Sequence, residues 1–190
     1  MVRPSRHDLA LFGALVLVML ATRTHYVSNL VHLPDTSLAS FFVLGFFVRR
    51  PWAFAGLFLL AVVIDFIMIG WLGRSSFCVT PAYWMLAPAY GTMWLAGRFG
   101  AERLGPVASA LPLLLLLLVA AAFLSQLFSS GGFYFLGDRF ADPSLAGFLP
   151  RLARHFPLTL YSTLLWSAVA AGVYGLLSTA RSLFAARASR

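Results

Sequence analysis

The chain has 190 residues, 61% of them hydrophobic, with 14 basic and 6 acidic side chains and a formal charge of +8. Its mean hydropathy of +0.86 excludes an ordinary water-soluble domain, whose apolar share is nearer half. Six membrane helices of about 20 residues would use roughly 120 residues, and the remainder is too short for a separate soluble domain with its own core. The expectation is a single transmembrane domain over 1–190. All 14 basic residues are arginine, so no P-loop, which needs GxxxxGK[ST], can be written in this sequence; it carries no nucleotide site of that kind. One cysteine, Cys78, cannot form an internal disulfide. The arginines are spread over connections and both ends of the chain, which fits a lipid bilayer with arginine-rich loops on its cytoplasmic side and not a nucleic-acid partner.

In chain order, the first apolar stretch runs from Leu9 to Ala21 and leads into Arg23-Thr24-His25-Tyr26 without a small-residue cleavage pattern, so it reads as a retained helix. A mixed segment follows to Asp35, then a short second span, Ser37 to Val48. Arg49-Arg50-Pro51 breaks the pattern, with proline placed to start the next helix. The third span, Trp52 to Leu72, carries Asp65. A polar connection to Pro81 contains Cys78, and the aromatic fourth span covers Ala82 to Phe99. The fifth span, Val107 to Phe128, includes the unbroken leucine run 113–118. Ser129 to Phe156 reads as a long connection, and Pro157 to Leu177 as the sixth span. Both ends of a six-span chain lie on one side. With that side cytoplasmic, Arg3, Arg6, Arg49, Arg50, Arg98, Arg103, Arg181, Arg187 and Arg190 are inside, and Arg23, Arg74, Arg139, Arg151 and Arg154 are outside. The longer connections then face outward.

Asp65 is the least expected residue. It lies about 10 Å below the outer surface at 1.5 Å per residue, a depth at which an ionisable group faces a cavity or a partner and is a functional candidate by default. An ion pair with an arginine such as Arg151 is the structural alternative. Cys78 is either an inert small hydrophobe or, with Arg74 nearby favouring the thiolate, a nucleophile or metal ligand. A lone sulfur cannot build a zinc site but can fill one open position of a metal already held in a macrocycle. Among the outer aromatics, most of which suit an interfacial belt, Tyr26 and Tyr83 stand out because each flanks a loop with polar candidates. Arg151, after Pro150, is placed to donate into a cavity. No GxSxG, HExxH or glycosidase-like carboxylate pair is present, and a dyad of Cys78 with His25, His32 or His155 has no motif behind it.

Six helices in fewer than 200 residues, with Asp65 followed by Arg74-Ser75-Ser76-Phe77-Cys78-Val79-Thr80-Pro81-Ala82-Tyr83-Trp84, resemble the BtuM-type cobalamin transporters, solitary relatives of the substrate-binding S-components of energy-coupling-factor (ECF) transporters. The resemblance covers most of the chain and is most specific from Asp65 to Trp84. It implies an all-α, six-helix S-component-like fold with both termini cytoplasmic, in a bacterial inner membrane. It also implies an outward-facing corrinoid pocket in which Cys78 ligates cobalt axially. Tyr26, Asp65, Tyr83 and Arg151 would line that pocket and bond the corrin amides. Cobalamin is then the substrate, with cyanide removal from cyanocobalamin through Cys78 as a second activity, and no dedicated ECF module is required. Ala10 and Ala14 form a small-xxx-small pair of the kind that permits close helix approach, which is too common to identify a partner. Two other readings stand beside this one: an S-component for another vitamin with an ATP-driven ECF module, and an intramembrane enzyme with Cys78 as nucleophile.

Overall fold

The computed structural model describes residues 5–23, 33–71 and 79–188. Among them every regular element is helical: α1 (Arg6–Arg23), α2 (Ser37–Phe47), α3 (Pro51–Gly70), a 3-10 segment (Pro81–Met85), α4 (Leu86–Arg103), α5 (Leu111–Gln126), α6 (Gly132–Leu136) and α7 (Leu145–Ala188). A π-helical turn, Leu127–Gly131, joins α5 to α6, and a 3-10 turn, Ala108–Ala110, precedes α5. Three continuous helical stretches are long and apolar enough to cross a membrane: Pro51–Gly70, Ala108–Leu136 and Leu145–Ser182. Large apolar side chains such as Leu59, Phe66, Leu116 and Leu158 are exposed on them, as expected where the surrounding solvent is hydrocarbon.

The core is built around α2. This 11-residue helix is buried along nearly its whole length, with Phe41 and Leu44 fully inaccessible. Such a helix shows no amphipathic stripe because no face meets solvent. It packs on α4 backbone to backbone. A Cβ added at Gly45 would collide with the carbonyl of Trp94, and one at Gly97 with the carbonyl of Phe42. Small residues at a helix crossing allow this approach, which maximises dispersion contacts where the hydrophobic effect between helices is absent. Aromatic rings fill the rest: Phe41 stacks on Tyr90 with centroids 4.5 Å apart, and Phe54 meets both Phe41 and Trp94 at 5.5 Å.

The helices alternate in direction between two ends of the molecule. One end gathers the C-terminal residue of α1 (Arg23), the last part of α3 (Asp65), the 3-10 segment, the close of α5 (Gln126) and the early turns of α7 (Arg151) around one cavity. At the other end His7 and Asp8 of α1, Phe47 of α2 and Arg181 of α7 line a shared groove. α7 is tied to the segment before α2 by the Trp166 indole, which donates to the Pro34 carbonyl at 2.9 Å. Trp166→Phe keeps the ring and removes the donor, leaving that carbonyl short of a partner. A loss of about 1 kcal/mol, read as a lowered unfolding temperature in detergent, is the expected result.

The long connection expected over Ser129–Phe156 is corrected by the fold. Only 137–144 lies outside helix. The serines and glycines of 129–132 are taken up by the π turn and the start of α6, and 145–156 forms the first turns of α7. The physical reason is a satellite aromatic cluster invisible to local reading. Tyr134 packs on Phe140 at 4.5 Å and on Phe148 at 5.7 Å, and its buried ring joins Phe148 and Leu152 in a second core. Pro150 and Pro157 sit inside α7, which membrane helices tolerate when other groups re-satisfy freed carbonyls. The fourth span also begins differently, its first residues forming the 3-10 segment led by Pro81.

Candidate functional site

At the cavity end the aromatic core hands over to a polar cluster centred on Asp65. The Arg23 guanidinium grips its carboxylate bidentately, Nε donating to Oδ1 at 2.8 Å and Nη2 to Oδ2 at 2.6 Å. The same guanidinium donates through Nη1 to the Ser37 hydroxyl at 2.7 Å and to the Tyr90 hydroxyl at 2.9 Å. Tyr83 donates to Asp65 Oδ2 at 2.8 Å. Asp35 stands 3.9 Å from Arg23 and accepts from both the backbone N–H and the hydroxyl of Ser37, closing a turn at the entry to α2. One step deeper, the Thr22 and Thr36 hydroxyls bond at 2.8 Å.

These contacts join α1, α2, α3, α4 and the 3-10 segment through two side chains. The Arg23 and Asp65 side chains retain 12% and 23% of their exposure, so the pair is screened from bulk solvent and each charge depends on the other. Fork-on-fork pairing of guanidinium and carboxylate is the strongest geometry available to it. The ion pair considered for Asp65 therefore exists, but its partner is Arg23 and not Arg151.

The cavity beside this cluster has a volume of about 450 Å³ and is open at its mouth. It is lined by Asp65 and Tyr83, by Arg151 and His155 of α7, by Ser129 and Ser130 of the π turn and by Phe133. Arg151 lies over two rings, 5.0 Å from the Phe133 centroid and 5.6 Å from that of Phe140; the rings hold the guanidinium by cation–π attraction. Its Nε is buried and has no hydrogen-bond partner among the described residues, where burial normally demands pairing. A π turn at a cavity wall is itself a recurrent feature of functional sites.

Of the five residues expected at the site, Asp65, Tyr83 and Arg151 line this one cavity. Cys78 and Tyr26 lie outside the described residues, as do His25, His32 and Arg74. Thr80, two residues after Cys78, is on the cavity wall. Trp71 and Trp84 are largely exposed, at 88% and 60%, which suits an interfacial belt. Two participants were missed by sequence reasoning. Arg23 was counted only as an outer-side charge, although a cation closing an apolar helix can turn inward to a buried carboxylate. Gln126 was absorbed into the apolar fifth span; the signal was an amide ending a run that begins at Leu111 and is otherwise polar only at Ser125. The chain matches no protein-family model and no curated protein sequence.

Proposed function

We propose that this chain is a six-span membrane protein of S-component type that takes up cobalamin, or a related corrinoid, across a bacterial inner membrane. In this reading Cys78 is the axial cobalt ligand. The observation that carries it is the convergence of Asp65, Tyr83 and Arg151 from three distant parts of the sequence on one cavity, with Thr80 on its wall. α1 to α5 and α7 alternate in direction between the two ends of the molecule, an arrangement compatible with six spans. Large ligands are held by apolar and aromatic walls with a few placed polar groups, in clefts of roughly 300–1,000 Å³. A volume of about 450 Å³ takes part of a corrinoid and leaves the rest in the open mouth.

The chain's own residues have distinct tasks in this scheme. The Arg23–Asp65–Tyr83 cluster is a rigid wall: the carboxylate keeps one acceptor site of about four after its three bonds, and the Tyr83 oxygen can still accept. Arg151, fixed over Phe133 and Phe140, supplies donors to amide or carboxylate oxygens. The Cys78 thiolate is a soft donor suited to a metal carried in by its own macrocycle. By displacing an upper cyanide it would also account for cyanide removal. Working without an ECF module is part of the same reading.

Titration with hydroxocobalamin tests it. The protein is expected to give a cobalt–sulfur absorption change that Cys78→Ala abolishes. No binding, combined with labelling of Cys78 by a mechanism-based electrophile, would replace the transporter with an intramembrane enzyme. Copurification with ATPase subunits would replace the solitary carrier with an S-component serving an ATP-driven module.

A further inference from the structure

Several of the hydrogen-bonding side chains around the cavity are already committed to one another. Asp65 already accepts three hydrogen bonds, and Tyr83 has spent its only donor on Asp65. Arg23 is committed to Asp65, Ser37 and Tyr90. Thr159 has given its hydroxyl proton to the His155 carbonyl, and Ser129 leans on the Gln126 carbonyl at 3.5 Å. Gln126 differs from all of them. It lines the cavity, is only 8% exposed, and its carboxamide makes no hydrogen bond to the described residues, while only its backbone carbonyl is engaged.

The Gln126 carboxamide atoms are not fully buried and reach the cavity, where they are open to a ligand. Leucine at the end of α5 would have extended the apolar run behind it. The π turn starts at the next residue, Leu127, so the helix changes pitch where the amide meets the cavity.

We propose that Gln126 is a specificity-determining residue that recognises a primary carboxamide of the ligand. A carboxamide offers donors and an acceptor in one plane, so two of them pair head to tail through two hydrogen bonds. A carboxylate in the ligand's place loses one of the two, and a hydrocarbon group loses both. Arg151, a donor only, cannot supply that preference, because a guanidinium bonds a charged carboxylate more strongly than an amide oxygen. The inference rests on the corrinoid reading and deepens it: the pocket selects amidated over acidic ligands.

The test measures dissociation constants for hydroxocobalamin and for its monoacids, each with one side-chain amide hydrolysed, using native protein, Gln126→Leu and Gln126→Glu. Native protein is expected to bind one monoacid about tenfold more weakly than the parent, equivalent to about 1.4 kcal/mol. Gln126→Leu should bind the parent about tenfold more weakly and treat that monoacid and the parent alike. At saturation its cobalt–sulfur absorption should match the native amplitude, which a general loss of structure would not preserve. If the leucine variant fails to fold, the isosteric Gln126→Glu carries the test with the opposite sign: its carboxylate still accepts from the parent amide but repels a ligand carboxylate, so it should reject that monoacid more strongly than native protein does. Unchanged affinity and discrimination in a folded variant would overturn the role of Gln126 while leaving the corrinoid reading intact. Failure of native protein to bind hydroxocobalamin would overturn both.

Discussion

Arg23→Met is expected to destabilise the protein by about 3–5 kcal/mol, the usual cost of removing one partner of a buried ion pair. The loss comes from three sources. Asp65 loses the donor of two of its three hydrogen bonds. The Ser37 and Tyr90 hydroxyls lose the donor they share. The junction of α1 with α2, α3 and α4 loses the group that unites it. Replacing both members, as Arg23→Met with Asp65→Leu, should recover most of the stability, because well-packed apolar residues substitute for buried pairs at little cost. Thermal unfolding in detergent separates the cases. The double variant is also expected to lose corrinoid affinity although it is folded, which would assign the pair to the ligand wall. A double variant that is stable and binds normally would leave Arg23 and Asp65 with a purely structural role.

The second large effect concerns the α2–α4 crossing. Gly97→Ala places a methyl group against the carbonyl of Phe42, and the backbone at that contact cannot yield as a flexible side chain would. Parting the helices would also disturb the Phe41–Tyr90 stack and, through the Tyr90 hydroxyl, the grip of Arg23 on the cluster. Overpacking of this kind costs about 1–3 kcal/mol or more. Gly91 on the same helix is the control: its nearest outside atom is the Phe54 Cζ at 4.0 Å, so Gly91→Ala is expected to be neutral or to stabilise by up to about 1 kcal/mol through helix propensity. Equal unfolding temperatures for the two variants would contradict the close crossing.

How far these features could be read in advance depended on whether their signal was local. The helical stretches were legible because continuous apolar runs and Pro51 mark them directly. α3 starts at Pro51 and α2 at Ser37, where the sequence placed or nearly placed them. Asp65 was legible as out of place, since a carboxylate in an apolar run is conspicuous by itself. What joins it was not. The choice between Arg23 and Arg151 turns on which helices are neighbours, and sequence spacing carries no such information. The 129–156 segment was misread for a similar reason. Serine, glycine and proline weaken local helix propensity, but packing of Tyr134 on Phe140 and Phe148 outweighs it. Gln126 escaped notice because one amide hardly changes the hydropathy of a leucine-rich window, whereas its position at a cavity decides its meaning.

The central claim is that the cavity flanked by Asp65, Tyr83 and Arg151 holds a corrinoid whose cobalt is bound by Cys78. The visible absorption spectrum of the protein purified from cells grown with cobalamin tests it most directly. A coloured preparation with a cobalt–sulfur band, absent from Cys78→Ala, is the predicted result. A colourless native protein that also leaves the spectrum of added hydroxocobalamin unchanged would contradict it.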